Sequence, residues 1–178
     1  MKHVMIAALL LATPALATDD DPGGELNPLE SGFGRVMRNV EEGKLDMTTC
    51  ATGYYITKSG RHELARKLFE ACANAGYSAA MTWMSQLDNN GLGGEYNPDA
   101  SADWDRRAAE TGDPVGKFNY GLDLMRGHGV AQNEALGRQL VDQAAAEGLD
   151  IAQRLQGADY DLDEVTPDAD NWKYAPMF

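Results

Sequence analysis

The chain has 178 residues and a formal net charge of −13, with 28 acidic residues against 15 basic ones. So acidic a polypeptide lacks the basic stripe that nucleic acids require, and anionic membrane surfaces repel it. Two cysteines, not spaced as C-x-x-C, and three histidines give neither a redox motif nor the ligand spacing of a zinc site.

Residues 1–17 read as a secretory signal. Lys2 and His3 make a basic start, Val4 to Leu11 is an apolar run too short to span a bilayer, and Ala15-Leu16-Ala17 offers an A-x-A cleavage site. The remaining chain is expected outside the cytoplasm, periplasmic or secreted, with no stable membrane insertion. In that oxidising compartment the even cysteine count predicts one structural bridge, Cys50 to Cys72. Residues 18–45 form an acidic leader followed by an N-terminal capping helix, in which Phe33, Val36, Met37 and Val40 recur at helical spacing up to Gly43.

From residue 46 to 156 the chain reads as a row of helical hairpins. Met47, Cys50 and Tyr54 open one helix, His62 to Ala75 forms the next, and Ser78 to Asp88 follows. Asn97-Pro98 and Asp113-Pro114 each pair a capping side chain with a proline at the first helical position, and Asn133 repeats the cap 36 residues after Asn97. Gly76, Gly112 and Gly148 are also 36 residues apart, and each closes a small-residue run. A fixed period of this length is the mark of a stacked repeat. The glycines are expected at the left-handed C′ position, where Gly112→Val would cost more than about 1 kcal/mol through backbone strain. In register, Leu64, Ala100 and Leu136, then Leu68, Trp104 and Leu140, are predicted to offer matching apolar stripes to neighbouring helices. Strand signals are weak throughout, so the fold class is all-α.

Gly121-Leu-Asp-Leu-Met-Arg-Gly127-His-Gly129-Val130, Ala135 and the Ala144-Ala-Ala-Glu-Gly148 close resemble a Sel1-like repeat, a relative of the tetratricopeptide hairpin. The hairpin from Tyr77 to Gly112 is similar in its second half, while its loop from Asn89 to Asn97 reads as irregular. The first hairpin, Gly43 to Gly76, is three residues shorter than the others, and its cysteines resemble those of the secreted, cysteine-containing branch. The resemblance implies an α/α superhelix of about three hairpins with capping helices. It also implies an adaptor that binds a protein or peptide of the cell envelope through a concave groove, in signalling or assembly. Tyr54, Tyr55, Trp83, Asn119, Tyr120 and Asp123 lie on the helices that would line that groove, and the chain is expected to act as a monomer.

A hydrolase of cell-wall or β-lactam type, linked to the cysteine-rich relatives, is the competing reading, but the residues do not favour it. No serine has Lys three residues on, and Gly76-Tyr77-Ser78 lacks the closing Gly and preceding strand of a nucleophile elbow. No catalytic, cofactor-binding or metal residues are assigned. Asp159, Asp161 and Asp163 match the first ligands of a calcium loop, but Glu164 stands where that loop needs Gly. Residues 157–178 read as an acidic-aromatic cap or docking tail, in which Trp172, Tyr174 and Phe178 supply apolar cover.

Overall fold

Eight α-helices and one short 3-10 turn follow one another in the computed structural model, which describes residues 32–165. The helices are α1 (Gly32–Glu41), α2 (Met47–Lys58), α3 (His62–Asn74), α4 (Ser78–Asn89), α5 (Pro98–Glu110), α6 (Pro114–Arg126), α7 (Glu134–Ala146) and α8 (Asp150–Gly157). Among the described residues there is no strand, and no helix is long and apolar enough to cross a membrane. The expected signal segment, the leader up to residue 31, and Trp172, Tyr174 and Phe178 lie outside the described residues.

Side chains cap the starts of α2, α5, α6 and α7. The Asn97 side chain accepts the Ala100 N–H at 3.1 Å, and Asn133 accepts the Leu136 N–H at the same distance one period later. Asp113 accepts from Val115 and Gly116 at the start of α6, and Asp46 from Thr49 at the start of α2. Gly76, Gly112 and Gly148 have φ of +94°, +91° and +92°, so the three turns between hairpins share one left-handed geometry that favours glycine.

The hairpins are α2–α3, α4–α5 and α6–α7, stacked in chain order, with α8 packed on α7 and α1 against α2 and α3. Between hairpins the helices close on small residues. A Cβ on Gly116 would stand 2.6 Å from the Ala108 Cβ, and its equivalents one period either way, Ala80 and Ala152, are buried. The bridge Cys50–Cys72 ties α2 to α3 within the first hairpin, with Cα atoms 5.9 Å apart.

Two expectations need correction. The Asn89–Asn97 loop is in register with its successor. Gly91 and Gly93 (φ +62° and +65°) repeat Gly127 and Gly129 (φ +69° and +63°) at the same spacing. A Cβ on Gly93 would meet the His62 backbone at 2.5 Å, and one on Gly129 the Pro98 oxygen at 1.9 Å, so each loop is seated on the first turn of the preceding hairpin arm. The second correction concerns one end of the apolar stripe. Leu68 is fully buried and Leu64 and Trp104 pack against the core, but Leu136 is exposed. Further buried rows are Ala65, Ser101 and Gly137; Phe69, Asp105 and Val141; Cys72, Ala108 and Ala144.

Candidate functional site: an aromatic groove and a polar pocket

The first candidate surface lies between α2 and α4, over the disulfide. Gly53 faces Phe69 so closely that a Cβ there would stand 2.4 Å from the ring, which lets α2 settle onto it. The buried Phe69 ring forms a floor, Trp83 stacks on it at 5.5 Å with planes inclined 5°, and Tyr54 meets Trp83 at 5.8 Å. Tyr55 packs edge-on against Tyr54 at 5.4 Å, and the Lys58 ammonium lies 5.6 Å above the Tyr54 ring. The result is an open groove of about 410 Å³ lined by Met47, Cys50, Tyr54, Tyr77 and Trp83 among others. Its upper edge is apolar and in water: Met47 is 76 % exposed, Tyr55 66 % and Tyr54 44 %.

The second is a small polar pocket of about 40 Å³ between α4, α5 and α6. At its floor the Ser85 hydroxyl donates to Asp105 Oδ2 at 2.5 Å and shares a 3.0 Å contact with the Ser101 hydroxyl. Asn119 donates to Asp105 Oδ1 at 3.3 Å. Asp123 stands beside them, and its Oδ2 is shut off from solvent with no hydrogen-bond partner. Burial pushes the Asp105 carboxyl up to about 7, against the hydrogen bonds from Ser85 and Asn119. Burial, and then the neighbouring charge of Asp105, pushes Asp123 up to about 8, with Arg126 opposing. Arg126 also lines the pocket, but its guanidinium donates away from it, to the Val165 carbonyl at 2.8 Å, and burial lowers its own pKa. At the rim, Asn89 Oδ1 lies 2.7 Å from His128 Nε2, so the loop histidine closes one side.

The structure therefore gathers Tyr54 and Trp83 at the groove, with Tyr55 outside its lining but packed against Tyr54, and Asn119 and Asp123 at the pocket, with α4 lining both. Tyr120, one residue from Asn119, lines a different shallow cleft with Asp99, Arg106 and Val130. Ser85, Ser101 and Asp105 are functional candidates that the sequence reading misses. Their signal is in the register: one period on, the same positions hold Gly121, Gly137 and Val141, the Gly–Gly–Val contact by which α6 and α7 close. Ser85 is buried and satisfies a carboxylate, while Ser78 donates to Asp113 Oδ2 at 2.5 Å and so links α4 to the cap of α6. Asp161 commits its carboxylate to the Asp163 N–H within the 3-10 turn, and among the described residues no group of three or more His, Cys, Asp or Glu is placed to hold a metal.

Stacked helical hairpins with a fixed period, each touching mainly its neighbours, define an α-solenoid repeat protein. Its architecture is shared by solved structures of Sel1-like repeat proteins. A Sel1 repeat protein from Oxalobacter formigenes superposes with a TM-score of 0.57 at 27% identity, over 61% of this chain and 43% of that one. c5321, a protective antigen present in uropathogenic Escherichia coli strains and displaying an SLR fold, gives 0.50 at 25% identity over 68% and 32%. Helicobacter pylori cysteine rich protein B shares the fold, with a TM-score of 0.57 at 14% identity over 71% of this chain and 98% of that protein. The chain thus spans less than half the length of the first two relatives. No protein-family model matches it. This architecture is in general an interaction scaffold for other proteins.

Proposed function

We propose that the protein is an extracytoplasmic interaction module that captures a segment of another envelope protein in the groove at Tyr54, Tyr55 and Trp83, acting as a monomer in signalling or assembly. The observation that carries this reading is the aromatic edge itself. Tyr54, Tyr55 and Met47 are contiguous, apolar and exposed beside an open groove, and aromatic side chains in such a setting are what partner recognition uses. A rigid floor supports them, because Phe69, Trp83 and the Cys50–Cys72 bridge hold α2 and α3 in place. The bridge also supports an oxidising compartment, in keeping with the signal pattern of residues 1–17.

The test is affinity capture from an envelope fraction with the native protein and with a Tyr54→Ala/Tyr55→Ala variant whose melting temperature is unchanged. A partner retained by the first and lost by the second is the expected result. Equal capture by both would overturn the assignment of the groove, and so would the absence of any reproducible partner.

A further inference from the structure

We propose that the polar pocket between α4, α5 and α6 receives the ammonium group of a lysine side chain presented by the captured protein. The inference rests on the reading that this face binds a protein segment, and it names the chemistry that the segment must carry.

Register sets the two acids apart. Asp105 occupies the position of Phe69 and Val141, both buried, and Asp123 that of Leu87, which is fully buried. Two core positions of the repeat have thus been given carboxylates in one place, on helices that face each other. Ionising acids there costs stability unless a partner group compensates the charge, and without one burial raises both pKa values instead. Asp105 is 4 % exposed, lines the pocket, and among the described residues receives two neutral donors, Ser85 and Asn119, and no ion pair. Asp123 Oδ2 is buried and receives none. The other groups facing the two acids are Gln86 and Asn89 of α4, Ser101 of α5 and Arg126 of α6. Arg126, the single cation among them, is committed to the carbonyls of Val165 and Leu162. Arg126 thus bears on Asp123 only as a neighbouring charge, and among the described residues no cation donates a hydrogen bond to either acid.

Size and geometry select the donor. The free volume of about 40 Å³ admits a compact group of one to three water sizes. An ammonium is such a group, a point charge with three donors on a flexible stem, whereas a guanidinium is a wide planar fork. A calcium ion takes about six to eight oxygen ligands, and among the described residues no group of three or more His, Cys, Asp or Glu is placed to hold a metal. Thr82 lines the pocket and its neighbour Trp83 lines the aromatic groove. The lysine and the segment held at Tyr54 and Trp83 are assigned to one captured protein, with α4 bordering both sites. The marked negative charge of the chain favours approach of such a segment.

The raised carboxyls add a signature. An ammonium competes with the protons they hold, so its affinity should rise more than tenfold from pH 6 to pH 8.5, since ionisation of Asp105 near 7 alone increases the receptive form by about that factor and Asp123 adds to it.

The experiment is a titration of the ¹⁵N-labelled protein with N-acetyl-lysine methylamide, followed through the amide resonances of α4, α5 and α6. N-acetyl-norleucine methylamide, the isostere without the charge, is the control. Saturable shifts confined to the pocket, absent with norleucine, strengthening with pH, and weakened at least tenfold in Asp123→Asn but not in Asp142→Asn, are expected. Equal response to norleucine, no response to lysine, or undiminished binding by a folded Asp123→Asn would overturn the proposal. Calcium chloride producing the same shifts at lower concentration would overturn it in favour of a metal site. Failure here with partner capture still dependent on Tyr54 and Tyr55 removes the lysine pocket alone, and the converse outcome removes the groove alone.

Discussion

At the scale of single residues, Asp105 decides most. Its carboxyl is raised from 3.8 to about 7 by burial, so the folded chain holds a proton there that the unfolded chain releases. A raised carboxyl contributes its stability fully below about pH 4 and loses it as pH rises through the folded value. Exposed acids such as Asp46 and Asp142 are displaced the other way, by the Thr49 N–H and by the hydrogen bonds of Tyr160 and Gln156, and their effect falls below that window. Between about pH 4 and 8 the protein should therefore lose stability as pH rises. The loss should be a few kcal/mol, because each pH step of one between the unfolded and folded values removes about 1.4 kcal/mol. Asp105→Asn, which keeps the shape of the neutral acid, should flatten that dependence and exceed the parent in stability at pH 8. Urea denaturation at pH 4.5, 6 and 8 measures both curves; a parent whose stability is level across the series would show that Asp105 is charged and compensated in the fold.

At the scale of the elements, sequence and structure agree wherever the determinant is local. Asn97, Asp113 and Asn133 cap the helices they precede, and Gly76, Gly112 and Gly148 take the positive φ that their place at a helix end requires, because a cap or a C′ glycine acts within one turn. Facing is less legible. A period of 36 aligns the hairpins but not their rotation, and neighbouring residues on a helix differ by about 100°, so a stripe through Leu64 and Leu136 touches the core at Leu64 and runs out into water at Leu136, beside the buried Ala65 and Gly137. The polar pocket is illegible as a unit, since Ser85 and Asp105 come from different helices 20 residues apart. The Cys50–Cys72 bridge is legible from composition, and it serves the shortest hairpin, whose loop lacks the seated glycine turn of the other two. Closing 22 residues, it should contribute about 2–4 kcal/mol. The Cys50→Ala/Cys72→Ala variant should show that loss in urea denaturation, with the slope raised because the unfolded chain is released from the loop. A loss below about 0.5 kcal/mol would mean that Phe69, Trp83 and Ile56 hold α2 onto α3 without it.

At the scale of the whole molecule, the hydrophobic interior is two clusters rather than one. The first runs from Val36 through Leu68, Phe69 and Met84 to Leu87 and Ala108; the second gathers Phe118, Leu122, Val141, Leu155 and Val165. They meet across α5 and α6, where one end of the contact is the close approach of Gly116 to Ala108 and the other is the Ser85–Asp105–Asn119–Asp123 pocket. In a stacked repeat, cooperativity depends on such nearest-neighbour contacts, because no long-range core bypasses a weak one. The state of the two acids therefore sets how tightly the halves unfold together. At pH 5 both carboxyls are neutral, the seam costs little, and calorimetry should give one transition with equal calorimetric and van't Hoff enthalpies. At pH 8.5 ionisation places two like charges in the seam, and the calorimetric enthalpy should exceed the van't Hoff value as the halves separate. Asp105→Asn should restore a single transition at pH 8.5 by leaving one charge where there were two. The same enthalpy ratio at both pH values in the parent would place the weak joint elsewhere and make the pocket a local feature of the groove.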